Sequence, residues 1–207
     1  MSHELDEVQR RVEVDRGTER TVVLARTYET SVEDLWDACT NPVRIPRWLA
    51  PITGDLEIGG RYQLQGNAGG TIETCDPPHS LRATWEFGGN VSWVELRLSP
   101  DGDARTRLVL AHIAPDDHAK WEEFGPGAVG VGWDMALAAL SRHLAGEEIP
   151  PEEGMAWMAS DVGRRFMTLS SERWHDAHLA AGADPAAARE AADRTTSAYT
   201  GAPSPAE

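Results

Sequence analysis

The chain has 207 residues, of which 41% are hydrophobic and 26% charged, and its formal net charge is −15. That length suits one sizeable domain with an appendage, or two small ones. The charge argues against non-specific nucleic-acid binding and against docking on anionic membranes, since both need clustered Lys and Arg. No run approaches the roughly 18 apolar residues of a membrane span, and MSHELDEVQRRVEVDRG lacks the apolar core of a signal peptide. A cytoplasmic protein is therefore expected. Lys120 is the one lysine among 19 basic residues, and the tail is rich in Ala; this bias points to a high-GC bacterial source. Cys39 and Cys75 form neither a disulfide framework nor a C-x-x-C site.

In chain order, residues 8–28 read as a strand pair turned at Asp15-Arg16-Gly17, with TVVLARTY as a β-branched strand. A helix follows. Thr30 and Glu33 match a capping box, Val32, Leu35, Trp36 and Cys39 form its stripe, and Asn41-Pro42 ends it. RIPRWLAP gives a short turn. The period then changes to two, with strands expected at about 55–65, 70–76, 81–87, 91–98 and 104–113 by that alternation. Gly66-Asn67, Asp76-Pro77-Pro78, Gly88-Gly89-Asn90 and Pro100-Asp101-Gly102 separate them, and such short connections make neighbours antiparallel. The inward faces are read as Tyr62/Leu64, Leu81/Ala83/Trp85/Phe87, Val94/Leu96/Leu98 and Leu108/Leu110/His112.

The segment DDHAKWEEFGPG reads as a lid-like loop, its acidic residues favouring a helix N-terminus. One long helix is expected over Phe124–Leu144. Val129, Trp133, Leu137, Leu140 and Leu144 mark its apolar face, with Asp134, Ser141, Arg142 and His143 on a solvated face. Gly125, Gly127, Gly130 and Gly132 weaken its first turns, so packing must hold them; they admit a neighbouring backbone or leave room for something else. Gly125 to Gly130 matches G-x-G-x-x-G, but a polar, acidic segment precedes it instead of a strand, which removes the dinucleotide reading. Beyond Ile149-Pro150-Pro151 come one or two helices, with Met158, Val162, Phe166 and Leu169 on one face and Trp174 and Leu179 further along. Asp184 caps a last helix begun by Pro185.

Taken together, ARTYETSVEDLWDACTNPVRIPRWLAP, GDLEIGGRYQL, CDPPHSLRATWEF, LVLAH and VGWDMALAAL resemble the SRPBCC (START/Bet v 1-like) superfamily. Within it they are similar to the branch named for the C-terminal domain of the activator of Hsp90 ATPase. The resemblance covers about residues 18–146. It implies an α+β helix-grip fold, a curved antiparallel sheet wrapped around a long C-terminal helix, with a hydrophobic cavity between them. Expected boundaries are an N-terminal segment 1–17 able to supply an edge strand, a grip domain 18–148, a helical extension 149–200 and a disordered tail 201–207.

No G-x-S-x-G, H-E-x-x-H or P-loop occurs. His175-x-x-His178, with Asp176, puts two imidazoles on one helical face, short of the ligands zinc needs; no metal and no cofactor is expected. His112 points inward, and a buried imidazole needs a hydrogen-bond partner, for which Glu73, Glu86 and Glu95 lie on nearby strands. It is either a satisfied core histidine or a pocket acid/base that orients a ligand. Eight tryptophans are many for this length, and Trp36, Trp48, Trp85, Trp93 and Trp133 all fall in the grip domain. The candidate ligand-binding set is Trp48, Tyr62, Trp85, His112, Trp133 and Leu137, with His112 as the candidate catalytic group. The expected function is binding of a small hydrophobic molecule, lipid-like or aromatic. An aromatase/cyclase- or hydrolase-like enzyme using the same cavity, and an Hsp90-activator-like interaction role, are the alternatives. The extension is a candidate surface for a homodimer.

Overall fold

The computed structural model describes residues 2–15, 19–115, 119–147 and 150–202. Its elements are α1 (Ser2–Asp6), β1 (Gln9–Asp15), β2 (Glu19–Tyr28), α2 (Val32–Thr40), β3 (Ile52–Gly54), β4 (Arg61–Leu64), β5 (Gly69–Asp76), β6 (Ser80–Phe87), β7 (Asn90–Pro100), β8 (Thr106–Pro115), α3 (Ala119–Phe124), α4 (Gly127–Leu144), α5 (Pro151–Ala159), α6 (Asp161–Ala180) and α7 (Pro185–Thr200). One 3-10 turn, Ile45–Arg47, follows α2. The eight strands form one sheet in the order β1-β2-β8-β7-β6-β5-β4-β3. This is the expected α+β chain: a curved antiparallel sheet with a long late helix.

Local signals mislead by a residue or two where a neighbour competes. Ser31, not Thr30, caps α2, accepting from the Asp34 backbone N–H at 3.2 Å. Thr30 instead donates its hydroxyl to the Asp34 carboxylate at 2.7 Å. Residues 55–60, expected as strand, form a loop, and β3 lies just before them. The lid-like segment contains α3, while Asp116 and Asp117 lie outside the described residues, as do Arg16 and Gly17 of the first turn and residues 203–207 of the tail. Gly125 adopts φ 59°, a left-handed conformation open to glycine, so α3 ends there and the long helix begins only at Gly127.

The chain divides into two compact units. The first comprises Met1–Leu24, Pro115–Ala138 and Ile149–Glu207; the second comprises Ala25–Ala114 and Ala139–Glu148. In the first, the glycines of α4 make room for side chains of the C-terminal helices, not for a strand. A Cβ on Gly130 would run into the Trp174 indole, one on Gly127 would lie 2.8 Å from Thr195 Cγ2, and one on Gly132 would lie 3.3 Å from Tyr199 Oη. Tyr199 donates its hydroxyl to the Ala128 carbonyl at 3.1 Å, and Thr195 donates to the Phe124 carbonyl at 2.8 Å. Asp184 caps α7 as expected, accepting from the Ala187 N–H at 3.0 Å. The buried face of α6 is rotated from the expected one. It carries Phe166, Met167, Ser170, Ser171 and Trp174, whereas Met158 and Val162 stay 40% and 47% exposed.

Asp134 is the largest departure from pattern reading. It belongs to the polar face of α4, yet its exposure is 1%. The Arg10 guanidinium donates to it from Nε at 3.0 Å and from Nη2 at 2.8 Å, Ser170 Oγ donates at 2.5 Å, and Trp174 Nε1 donates at 3.0 Å. Arg10 is itself held by the Leu5 and Val8 carbonyls, at 2.9 and 3.0 Å. Burial pushes the Asp134 carboxyl above its ordinary pKa, and Arg10, Ser170 and Trp174 pull against that rise.

Candidate functional site

Strand register builds the candidate site, which lies in the second unit. β6 and β7 pair so that Leu81 faces Leu96, Ala83 faces Val94 and Trp85 faces Ser92. β7 and β8 pair so that Val94 faces His112, Leu96 faces Leu110 and Leu98 faces Leu108. Alternation at period two then gathers these side chains on one face of the sheet. Ile72 opposite Ala83, and Tyr62 opposite Gly70, continue that face towards β4. Phe87 departs from its expected inward position. At the end of β6, beside the Gly88-Gly89 turn, it is 60% exposed.

Ile45, Tyr62, Leu64, Ile72 and Ala83 form a buried apolar cluster, and Leu49, Ala50, Ile52, Cys75, Leu81 and Trp85 pack against it half-buried. Tyr62 donates its hydroxyl to the Thr84 carbonyl at 2.7 Å. Burial, then the nearby Glu86, raises its pKa, so the phenol stays protonated and donates to that carbonyl. Trp48 is anchored likewise, its indole N–H donating to the Ala38 carbonyl at 2.9 Å. Burial pushes the Cys39 thiol up to about 12, which leaves it protonated and unreactive.

His112 is buried as expected, and the three glutamates on nearby strands pair with arginines. Glu73 and Glu95 bind Arg82, Glu86 binds Arg61 at 2.8 Å, and Trp93 donates its indole N–H to Glu73 at 3.1 Å. His112 Nε2 instead lies 2.9 Å from Ser92 Oγ, and Ser92 Oγ donates to the Trp85 carbonyl at 3.1 Å. A hydroxyl has one hydrogen. With that hydrogen on the carbonyl, His112 Nε2 must be the donor, which places its proton on Nε2. The Trp85 ring stands edge-on to the imidazole, 6.1 Å between centroids. A serine beside a histidine can serve acyl transfer, yet here the hydroxyl is committed to a carbonyl and the three glutamates are committed to arginines. What the arrangement offers is a polar pair set among apolar side chains.

Of the expected set, Trp48, Tyr62, Trp85 and His112 fall in the second unit, and Trp85 joins Tyr62 in the cluster and His112 at the polar pair. Trp133 and Leu137 are buried in the first unit. Pattern reading misses Ser92, although stepping back by two from Val94 reaches it. It also misses Arg44, which donates to His143 Nε2 from Nε at 3.2 Å and to Asp34 and Asp37 from Nη1 at 2.7 and 3.0 Å. His175 Nδ1 lies 3.2 Å from Asp176, and the His178 ring meets Trp121 edge-on at 5.9 Å. Among the described residues, no group of three His, Cys, Asp or Glu could hold a metal, and no helix is long and apolar enough to cross a membrane.

Comparison with known proteins places the fold. The family model described as "Activator of Hsp90 ATPase homolog 1-like protein" matches residues 29–145, more than half of the chain. The chain belongs to that family. The match contains α2, all strands from β3 to β8 and α4, hence the whole apolar face just described. A crystal structure of CalU16 from Micromonospora echinospora is 35% identical, covers 82% of this chain and 97% of that one, and superposes with a TM-score of 0.66. Its solution structure gives 32% identity, 84% and 97% coverage, and a TM-score of 0.69. Both extend past the family match. PFC0360w, an HSP90 activator from Plasmodium falciparum, is 22% identical over 61% of this chain and 96% of its own, with a TM-score of 0.53; that likeness is one of fold. Curated protein sequences provide no match.

Proposed function

We propose that this family member binds a small hydrophobic molecule, aromatic or lipid-like, on the apolar face of its sheet, with His112 and Ser92 as the polar anchor. The observation that carries this reading is the set of half-buried side chains, Leu49, Ile52, Cys75, Leu81 and Trp85, packed against a buried apolar cluster. Apolar surface left partly in water forgoes about 25 cal/mol per Å², and a ligand laid over it recovers that energy. One polar pair among apolar side chains is the composition of a small-molecule site, where a few polar groups fix orientation. The Hsp90-activator-like reading draws on the description of the family and on a 22% identical structure whose likeness is one of fold.

Native mass spectrometry of freshly purified protein, followed by titration with an environment-sensitive naphthalene dye, tests the proposal. A retained apolar compound, or saturable dye binding weakened about tenfold by Trp85→Ala, is expected, since burying an aromatic contributes on the order of 1–2 kcal/mol. An empty protein that shows no saturable dye binding would overturn it.

A further inference from the structure

Building on the site proposed above, we propose that His143 and Arg44 form a pH-sensitive latch at its border, closed while the imidazole is neutral and opened by its protonation. Arg44 immediately precedes Ile45 of the buried apolar cluster, and Leu49 and Ala50 further along the same segment pack against that cluster. Whatever holds Arg44 therefore holds one border of the site. Its Nη1 donates to the Asp34 carbonyl at 3.2 Å, to the Asp34 carboxylate at 2.7 Å and to Asp37 at 3.0 Å. Its Nε donates to His143 Nε2 at 3.2 Å, which ties this segment to the last turn of α4.

The proton logic is strict. A guanidinium has five donors and no acceptor, so the nitrogen facing it must be the unprotonated one. The contact exists only for a neutral ring with its proton on Nδ1. Arg44 and Arg47 face the ring from the 3-10 turn, and Asp34 faces it from α2, with Asp37 reached through Arg44. On the helix itself Arg142 pairs with Glu147 at 2.6 Å, and Arg26 of β2 donates to Ser141 at 3.0 Å. Protonation thus adds a charge beside two arginines and one aspartate, and deletes the acceptor for Arg44 Nε. Burial, then Arg44 and Arg47, hold the His143 pKa below its ordinary value of 6.5, with Asp34 opposing. The latch is accordingly shut at neutral pH and opens on acidification below the ordinary histidine range. Opening frees the segment 44–50 and weakens the hold on a ligand.

Dye affinity and amide hydrogen exchange of residues 44–50 are measured from about pH 7.5 to about pH 5 on the wild type, His143→Gln and Arg44→Lys. Glutamine keeps an acceptor that does not titrate; lysine keeps the charge beside Asp34 and Asp37 but has no Nε donor in that position. The expected result is a loss of affinity of about fivefold or more and faster exchange in the wild type at acid pH, with the step absent from both variants. The same step in His143→Gln as in the wild type overturns the latch. Dye that binds nowhere in the range defeats the site, not the latch, because the exchange arm still decides whether the segment loosens with His143. Melting curves establish that each variant is folded, and a variant that fails is replaced by His143→Asn.

Discussion

The two units each bury a polar group where an apolar one would be simpler, and they do so in opposite ways. In the first, Asp134 accepts from Arg10, Ser170 and Trp174, the last two buried and the Arg10 side chain 6% exposed. In the second, His112 shares a serine hydroxyl beside half-buried apolar side chains. A buried charge is tolerable only when its partners are present, whereas an imidazole and a hydroxyl can satisfy one another within an otherwise apolar face. The first arrangement is a knot that ties the N-terminal segment, α4 and α6 of one unit together. The second is a buried polar pair set in an apolar sheet face.

Breaking the knot has the largest expected effect. Asp134→Asn leaves the Arg10 guanidinium buried without a counter-charge, and a loss of about 3–5 kcal/mol is expected, read as a lowered denaturant midpoint. Arg10→Met combined with Asp134→Leu removes both charges and should recover much of that loss. If Asp134→Asn and the double substitution cost the same, the pairing of the two charges contributes nothing.

Gly130→Ala tests the packing around the same knot. The added methyl meets the Trp174 indole, which already donates to Asp134, so α6 must shift. A cost of about 1–3 kcal/mol is expected for such overpacking, against the few tenths or more that alanine contributes to an open helix position. A rise in the melting temperature would show that the indole is free to move. Gly154→Ala, with nothing within 4 Å of its added carbon, is the control.

The smallest effect lies at the border of the second unit. The Thr30 hydroxyl, then Arg44, hold the Asp34 carboxyl below its ordinary pKa of 3.8, with burial opposing. A carboxyl whose folded pKa is depressed stabilises the fold fully above its unfolded pKa. That stabilisation is lost as pH falls through the depressed folded value. Asp34→Asn should therefore flatten the acid limb of a stability–pH profile below about pH 4 and change little at neutral pH. The effect is small, because Asp34 is mostly exposed and such pairs contribute at most about 1 kcal/mol. An unchanged acid limb would remove Asp34 from the account.

Much of this architecture could be read from residue order. Alternation through Leu81, Ala83 and Trp85, and through Leu108, Leu110 and His112, names the inward face, because a strand has only two sides. Asp184-Pro185 announces α7, since an aspartate cap and a proline at the first helical position act within one turn. The family itself is readable from the ordered motifs between residues 18 and 146. Local chemistry suffices for all of these.

What only the tertiary structure decided is which polar residues are buried and with whom. Periodicity assigns Asp134 to water by default, because its main charge partner stands 124 positions away at Arg10 and contributes nothing to a local pattern. Ser92 becomes the partner of His112 through cross-strand register, while the glutamates nearby in sequence turn to the other face and to arginine. His143 looks like a solvated helix end until Arg44, 99 positions earlier, donates to it. Hydrophobic spacing is a local property of the chain, and most of the elements follow from it. The pairing of buried polar groups depends on which elements meet, so those partners were decided only by the fold.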